Sequence, residues 1–190
     1  EVLQGLGPHF PLPVLYTQHI EVGADKNMAK WFDSTCQNIT VALAQDGDET
    51  APGKVYMAPA DHPLSIDFVK PNGRAVLRVS DEEPERFLRP AVNKLFGSAA
   101  KHYKKACLSV LLTGMGRDGA EGCKDFAKSA ILPTSLLLTA ERNSDTRCSS
   151  CNFSPPSSIY PSSTLSMRSF ISQSGLTWRL MSMNMSPWYW

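Results

Sequence analysis

The sequence lacks several features that would assign it to particular classes of protein. No apolar run reaches the roughly 18 residues that a membrane-spanning helix needs, and no basic-then-apolar start marks a signal peptide. The formal net charge is only +1, so the composition gives no argument for binding nucleic acid or an anionic membrane surface. The five cysteines are odd in number and widely spaced, which favours a reducing compartment over a disulfide framework. We therefore predict a cytoplasmic protein that neither inserts into membranes nor binds nucleic acid.

One stretch of the chain, VLLTGMGRDGAEG at residues 110–122, combines the patterns of a strand end, a turn and a helix start. It begins with the end of an apolar, β-branched run that is typical of a strand buried on both faces. A turn with three glycines follows, and then a helical pattern from Ala120 to Lys128. Strand, glycine turn and helix form half of a βαβ unit, whose functional groups gather outside the carboxyl ends of the strands. Asp118 stands at this position, near the N-terminus of the predicted helix.

Three interpretations of Asp118 stay open on the pattern alone. Gly114, Gly116 and Gly119 spell G-x-G-x-x-G, the pattern of a dinucleotide-binding turn, and Glu141 stands near the spacing expected for a ribose contact. Against this interpretation, the carboxylate would occupy the place where a helix N-terminus attracts the pyrophosphate. The other two are a catalytic acid and a plain cap of the helix that follows, which contributes about 1 kcal/mol.

The rest of residues 1–130 alternates predicted strands and helices, as expected for one α/β domain. The predicted strands are 13–20, 39–44 and 54–59, the predicted helices are 25–36 and 90–103, and Pro71-Asn72-Gly73 predicts a hairpin within residues 61–79. Helix 25–36 places Met28, Trp31 and Phe32 on one face, which we expect to lie in the core. His19 comes at the carboxyl end of the first strand, where functional groups gather.

The composition changes after about residue 130. Residues 131–190 contain fifteen serines and no lysine, and beyond residue 140 they show no helical or strand period. A serine- and proline-rich segment of this kind has little to pack with, so we expect it to be largely disordered. Cys148 and Cys151 form a lone C-x-x-C without a second pair of ligands, and we expect no metal site there. The abrupt change is also what a reading-frame error would produce.

Residues 1–130 closely resemble the catalytic domain of the chemotaxis receptor methylesterases, the CheB-type protein-glutamate methylesterases. Four signatures occur in the order of the family: PVLYTQHI, VYMAPADHPL, RPAVNKLFGSAA and LLTGMGRDGAEG. The resemblance implies a three-layer α/β/α, doubly wound fold with a mostly parallel sheet, to which the predicted hairpin adds. It also implies hydrolysis, without metal or organic cofactor, of glutamate methyl esters on the cytoplasmic domains of methylated chemoreceptors, and in some members deamidation of glutamine.

The same resemblance implies a serine-histidine-aspartate triad in which His19 is the general base and Asp118 is its acidic partner. Such a base takes the proton of a serine that would otherwise be a weak nucleophile, and the carboxylate holds the imidazole in one tautomer. Backbone amides of the glycine turn, at Met115 and Gly116, are candidate donors to the oxyanion. These roles leave the dinucleotide interpretation as the weakest of the three.

The chain also departs from the family in ways that limit the prediction. The nucleophilic serine of the family lies in a G-x-S-T-G-G turn about 25 residues before the histidine, and no serine here stands in a G-x-S-x-G elbow. We therefore expect a fragment whose domain is incomplete at both ends: residues 1–130 are a partial catalytic domain and residues 131–190 a tail foreign to the family. Ala91 stands where the family usually has serine. The rival hypotheses are an inactive interaction fragment and, more weakly, a dinucleotide-binding domain.

Overall fold

The computed structural model describes residues 2–6, 9–84, 88–112, 118–129, 135–138 and 180–185. In chain order, their regular elements are a 3-10 turn (Gln4–Leu6), β1 (Val14–Gln18), α1 (Asp25–Thr35), β2 (Thr40–Leu43), β3 (Lys54–Met57), β4 (Leu64–Val69), β5 (Ala75–Val79), α2 (Val92–Tyr103), a 3-10 turn (Lys104–Ala106), β6 (Cys107–Leu112), α3 (Ala120–Ser129), β7 (Ser135–Leu138) and β8 (Leu180–Met185).

Six of the strands form one parallel sheet in the order β2-β3-β1-β8-β6-β7. The carboxyl ends of β1 and β6 therefore lie at the same edge of the sheet. The register makes this concrete, because Met185 at the end of β8 is paired with both Gln18 and Leu112. The other two strands, β4 and β5, form the antiparallel hairpin that the Pro-Asn-Gly turn predicts.

Alternate residues of the strands face two hydrophobic clusters, one on each face of the sheet. Val14 and Tyr16 of β1 pack with Ala29 of α1, and Leu15 packs with Val92 and its neighbours in α2. A strand covered on both faces has to be apolar throughout, which explains the continuous apolar run in β1. The hairpin completes the α2 side, where its Leu64, Ile66, Ala75 and Leu77 belong to the same cluster as α2.

The α/β fold predicted from the sequence is confirmed, with corrections in two of its elements. Helix α2 begins at Val92 rather than at Pro90, because Ala91 has an extended backbone (φ −101°, ψ 133°). Trp31 was expected in the core but is 60% exposed, with its ring against Phe32 at 5.0 Å between centroids. The helical spacing predicts which face of α1 turns toward the core. A residue on that face is buried only where neighbouring elements cover it.

The tail contributes two segments to the sheet. β7 pairs with β6, and β8 lies between β1 and β6 as the neighbour of both. A segment from residues 180–185 therefore occupies a central position in the sheet. The division of the chain into residues 1–130 and a foreign tail remains a prediction, and the other tail residues lie outside the described residues. Among the described residues, no helix combines the length and the apolar composition that crossing a bilayer requires.

Candidate active site

The two residues selected by their strand-end positions lie in contact. His19 follows β1 directly, and Asp118 stands two residues before α3. Their side chains meet with His19 Nε2 at 3.1 Å from Asp118 Oδ2. The imidazole side chain is 20% exposed and the carboxylate side chain only 7%, so the acid lies behind the histidine and the histidine faces the solvent. This is the arrangement of an orienting carboxylate and a reachable base.

The carboxylate of Asp118 also caps a helix, but not the one that follows it. The backbone N–H of Val92 donates to Oδ2 at 2.7 Å, and that of Asn93 donates to Oδ1 at 3.0 Å. These are the first two amides of α2, whose own N-cap residue, Ala91, has no side-chain hydrogen bond to offer. Capping and pairing with histidine are therefore not alternatives for Asp118, since one carboxylate does both.

These contacts determine the charge of the acid. Burial raises the pKa of Asp118, but the hydrogen bonds from His19 and from the Val92 and Asn93 amides outweigh it, so the pKa is lowered from its ordinary value. The N-terminal end of α2 favours the same charge state through its helix dipole. Asp118 is consequently ionised at neutral pH, as a carboxylate must be to accept a hydrogen bond from the imidazole and stabilise the imidazolium.

The pairing also decides which nitrogen of His19 is available for chemistry. With a proton on Nε2 donated to Asp118, the neutral ring carries its lone pair on Nδ1. Nδ1 has no hydrogen-bond partner within the part of the chain that the structure describes. A partly exposed imidazole held by a carboxylate in one tautomer can take a proton from a hydroxyl or a water molecule.

Two further contacts hold the loop after β3 against the starts of α1 and α2. Arg89 donates from Nε and Nη2 to the two carboxylate oxygens of Asp61, at 2.8 and 2.7 Å. Ala60 donates its backbone N–H to Oδ2 of Asp25, a residue 7% exposed in the first turn of α1, at 3.0 Å. The loop after β3 is thus tied to the starts of both helices, and a bidentate arginine pair gives the stronger geometric restraint of the two.

Asn93 belongs to this site but was missed by the sequence analysis. Its side-chain Oδ1 accepts the backbone N–H groups of Gly119 and Gly122, each at 3.0 Å. Asparagine is preferred at helix N-termini, but that preference points to capping of its own helix and not of a neighbouring one. No spacing in the sequence indicates a contact between the first turn of α2 and the first turn of α3.

Gly119, the one glycine of the turn within the described residues, has a structural reason that differs from that of a dinucleotide fingerprint. Gly119 has φ +89°, and a Cβ there would lie 2.9 Å from Leu111 Cδ1. The amides of Gly119 and Gly122 at the start of α3 are bonded to Asn93 and do not point at a free anion site. Met115 and Gly116, the candidate oxyanion donors, lie outside the described residues. Within the described ranges, no group of three histidine, cysteine or acidic residues is placed to hold a metal ion.

Comparison with known proteins shows which family the chain resembles. Residues 1–133 match the sequence model of the family described as CheB methylesterase. A protein-glutamate methylesterase/protein-glutamine glutaminase of Anaeromyxobacter dehalogenans is 42% identical over 123 residues, which cover 65% of this chain and 34% of the relative. The corresponding protein of Thermotoga maritima is 37% identical over 121 residues, covering 64% and 34%.

A solved structure shows the same fold. The crystal structure of the Thermotoga maritima CheB methylesterase catalytic domain superposes with a TM-score of 0.63 at 33% identity, covering 72% of this chain and 69% of that one. The chain spans about a third of the length of the curated relatives that it matches. With the family match over residues 1–133 and the solved fold in agreement, the chain belongs to the CheB methylesterase family.

Proposed function

We propose that this region supplies the base and the orienting acid for hydrolysis of glutamate methyl esters on the cytoplasmic domains of chemoreceptors. The contact between His19 and Asp118 carries the proposal, because it joins an ionised, buried carboxylate to a partly exposed imidazole. The relatives are named as protein-glutamate methylesterases and protein-glutamine glutaminases, which supports the ester as substrate and the glutamine amide as a second one. A receptor substrate of this kind also supports a cytoplasmic location.

The reaction follows from the roles of the two residues. A serine hydroxyl adds to the ester carbonyl carbon while its proton passes to Nδ1 of His19. The tetrahedral intermediate then expels the methoxy group, which takes the proton from His19 and leaves as methanol. Water repeats the sequence on the acyl-serine, again losing a proton to His19, so that glutamate is released and the serine is regenerated. Asp118 keeps its negative charge throughout and stabilises the imidazolium.

The nucleophile has to be supplied for a decisive test, because no serine in this sequence stands in a G-x-S-x-G elbow. We would place the serine-bearing N-terminal segment of the Thermotoga maritima catalytic domain before residue 1 and measure methanol release from a methylated receptor domain. We expect turnover, and an approximately 10⁴-fold loss of kcat in the Asp118→Asn variant, which disturbs the tautomer of the base. His19→Gln should abolish turnover, whereas Glu21→Gln, at an exposed position, should leave it unchanged.

The unmodified chain provides the reference for the chimera. It should release methanol at little more than the background rate, because removing a triad nucleophile from a serine protease costs on the order of 10⁶-fold in kcat. A fluorophosphonate, which labels activated serines, should react with the chimera and not with the chain alone. A folded chimera without esterase activity, or one indifferent to His19→Gln, would contradict the proposal. Receptor binding without turnover would favour the interaction fragment instead.

A further inference from the structure

Asn93 contacts the residue after Asp118 as well as Asp118 itself. Its backbone N–H donates to Asp118 Oδ1, and its side-chain Oδ1 accepts the N–H of Gly119, both at 3.0 Å. A second bond to the Gly122 amide extends the contact into the first turn of α3. One residue therefore holds the catalytic acid by its carboxylate and by the peptide that follows it.

The two helices cap each other through these residues. Asp118, before α3, accepts the first two amides of α2, and Asn93, in the first turn of α2, accepts two amides at the start of α3. Such an exchange satisfies four of the donors that helix N-termini leave without intrahelical partners. Because each cap is provided by the other helix, the caps depend on each other and on the packing of α2 against α3.

The peptide between Asp118 and Gly119 needs a restraint of this kind. Gly119 has φ +89°, and glycine reaches many other backbone conformations at similar energy. Replacing it with a stiffer residue is blocked, since a Cβ at this position would lie 2.9 Å from Leu111 Cδ1 and 3.1 Å from Val92 Cγ1. The backbone freedom next to the acid therefore has to be removed by a contact, and the side chain of Asn93 provides one.

From these contacts we propose that Asn93 is a positioning residue of the site: through the amides of Gly119 and Gly122 it holds the carboxylate of Asp118 against His19. The catalytic meaning of this role rests on the proposed function, while the positioning itself does not. Through these bonds Asn93 acts on Asp118 and not on a reacting group, which makes it a positioning residue rather than a catalytic one. As a neutral amide, it accepts the two N–H groups without adding a second negative charge beside the acid.

Hydrogen exchange at the Val92 amide provides the test, because that N–H bonds to Asp118 and not to Asn93. In Asn93→Ala we expect the Val92 amide to exchange roughly tenfold faster, together with those of Gly119 and Gly122. Asn93→Asp keeps an acceptor oxygen in the same place and should restore slow exchange at Gly119 and Gly122, whereas its negative charge beside Asp118 should make the recovery at Val92 only partial. The matched control is Ser98→Ala in the same helix, which removes the bonds from Ile66 N–H and to Leu95 O but none to Asp118.

A cap that served α3 alone would give a different pattern. In that case Asn93→Ala would speed exchange at Gly119 and Gly122 and leave Val92 protected, and this result would overturn the inference. If the alanine variant does not fold, Asn93→Ser takes its place, because its shorter side chain cannot span both glycine amides. Loss of protection at the Val92 amide again supports the inference, and retained protection there overturns it. None of these measurements needs ester turnover, so loss of Val92 protection supports the positioning role even where the chimera is inactive.

Discussion

Gly122 of α3 lies against Phe96 of α2 so closely that a Cβ at position 122 would stand 2.4 Å from Phe96 Cβ. Real Cβ atoms do not approach one another to this distance, so the two helices can pack as they do only with glycine at this position. The contact fixes how near the first turn of α3 comes to α2, and hence how near Asp118 and Asn93 come to the amides that they cap.

Gly122→Ala should therefore carry the cost of overpacking, usually about 1–3 kcal/mol, and so close an approach selects the upper part of that range. Alanine gains about 1 kcal/mol over glycine in a helix, so the free energy of unfolding should fall by about 2 kcal/mol. Gly97→Ala is the matched control, because a Cβ at that position in α2 has only Asp125 Oδ2 nearby, at 4.0 Å. Urea unfolding should show opposite signs for the two variants, and a stabilised Gly122→Ala would mean that the helices pack differently.

The cap that Asp118 gives to α2 should be measurable without any assay of activity. Asp118→Ala leaves the Val92 and Asn93 amides without their acceptor, and we expect the free energy of unfolding at pH 7 to fall by about 2 kcal/mol. Asp118→Asn retains one acceptor oxygen and should lose less. Exposed Glu21→Gln changes the charge without removing a cap, and should have little effect. Equal stability of the wild type and Asp118→Ala would contradict the cap.

The same carboxylate should make stability depend on pH in a defined window. The pKa of Asp118 is lowered on folding, so its contribution is complete above the unfolded value of about 3.9 and is lost as the pH falls through the lower folded value. The pKa values of Glu49, Asp61 and Glu82 are also lowered. Because those three groups are the same in Asp118→Asn, their contributions cancel in the difference in unfolding free energy between wild type and variant.

We expect that difference to shrink as the pH falls below about 4. Denaturant titrations at closely spaced pH values in this acid range would measure it. A difference that grew as the pH fell below about 4 would require a raised pKa of Asp118, and so an acid whose burial outweighs its hydrogen bonds.

The part of the site that could be predicted from the sequence is the part that strand periodicity controls. The apolar runs before His19 and before the glycine turn identify two strands buried on both faces, and the carboxyl ends of parallel strands meet at one edge. That rule places His19 and Asp118 at the same edge of the sheet, and the resemblance to the family implies that the two are paired. The structure places their side chains 3.1 Å apart.

The parts that could not be predicted depend on contacts between elements. Asn93 stands in a helical pattern as an ordinary polar residue, and its role appears only when the starts of α2 and α3 are adjacent. The same limit applies to Ala91. Its backbone is extended, so α2 begins one residue later, at Val92, whose amide is capped by Asp118. It applies most strongly to β8, because the composition of a serine-rich tail carries no information about which strands will flank a segment of it.

The tail therefore provides the last prediction, in which composition and structure favour different results. Deleting residues 180–190 removes β8, the parallel neighbour of both β1 and β6, and leaves unpaired the backbone donors and acceptors of two buried strands. Because small domains carry only about 5–15 kcal/mol of stability, we expect the shortened chain to lose its cooperative unfolding transition. The control is a chain in which Ser182 and Met183 are exchanged for each other, which keeps the length and composition of the tail. That control should be destabilised less than the deletion, since the backbone pairing remains.

A deletion that unfolds with the same midpoint and the same slope as the full chain would show that residues 180–185 do not belong to the fold, and would favour the foreign tail that the serine-rich composition predicts.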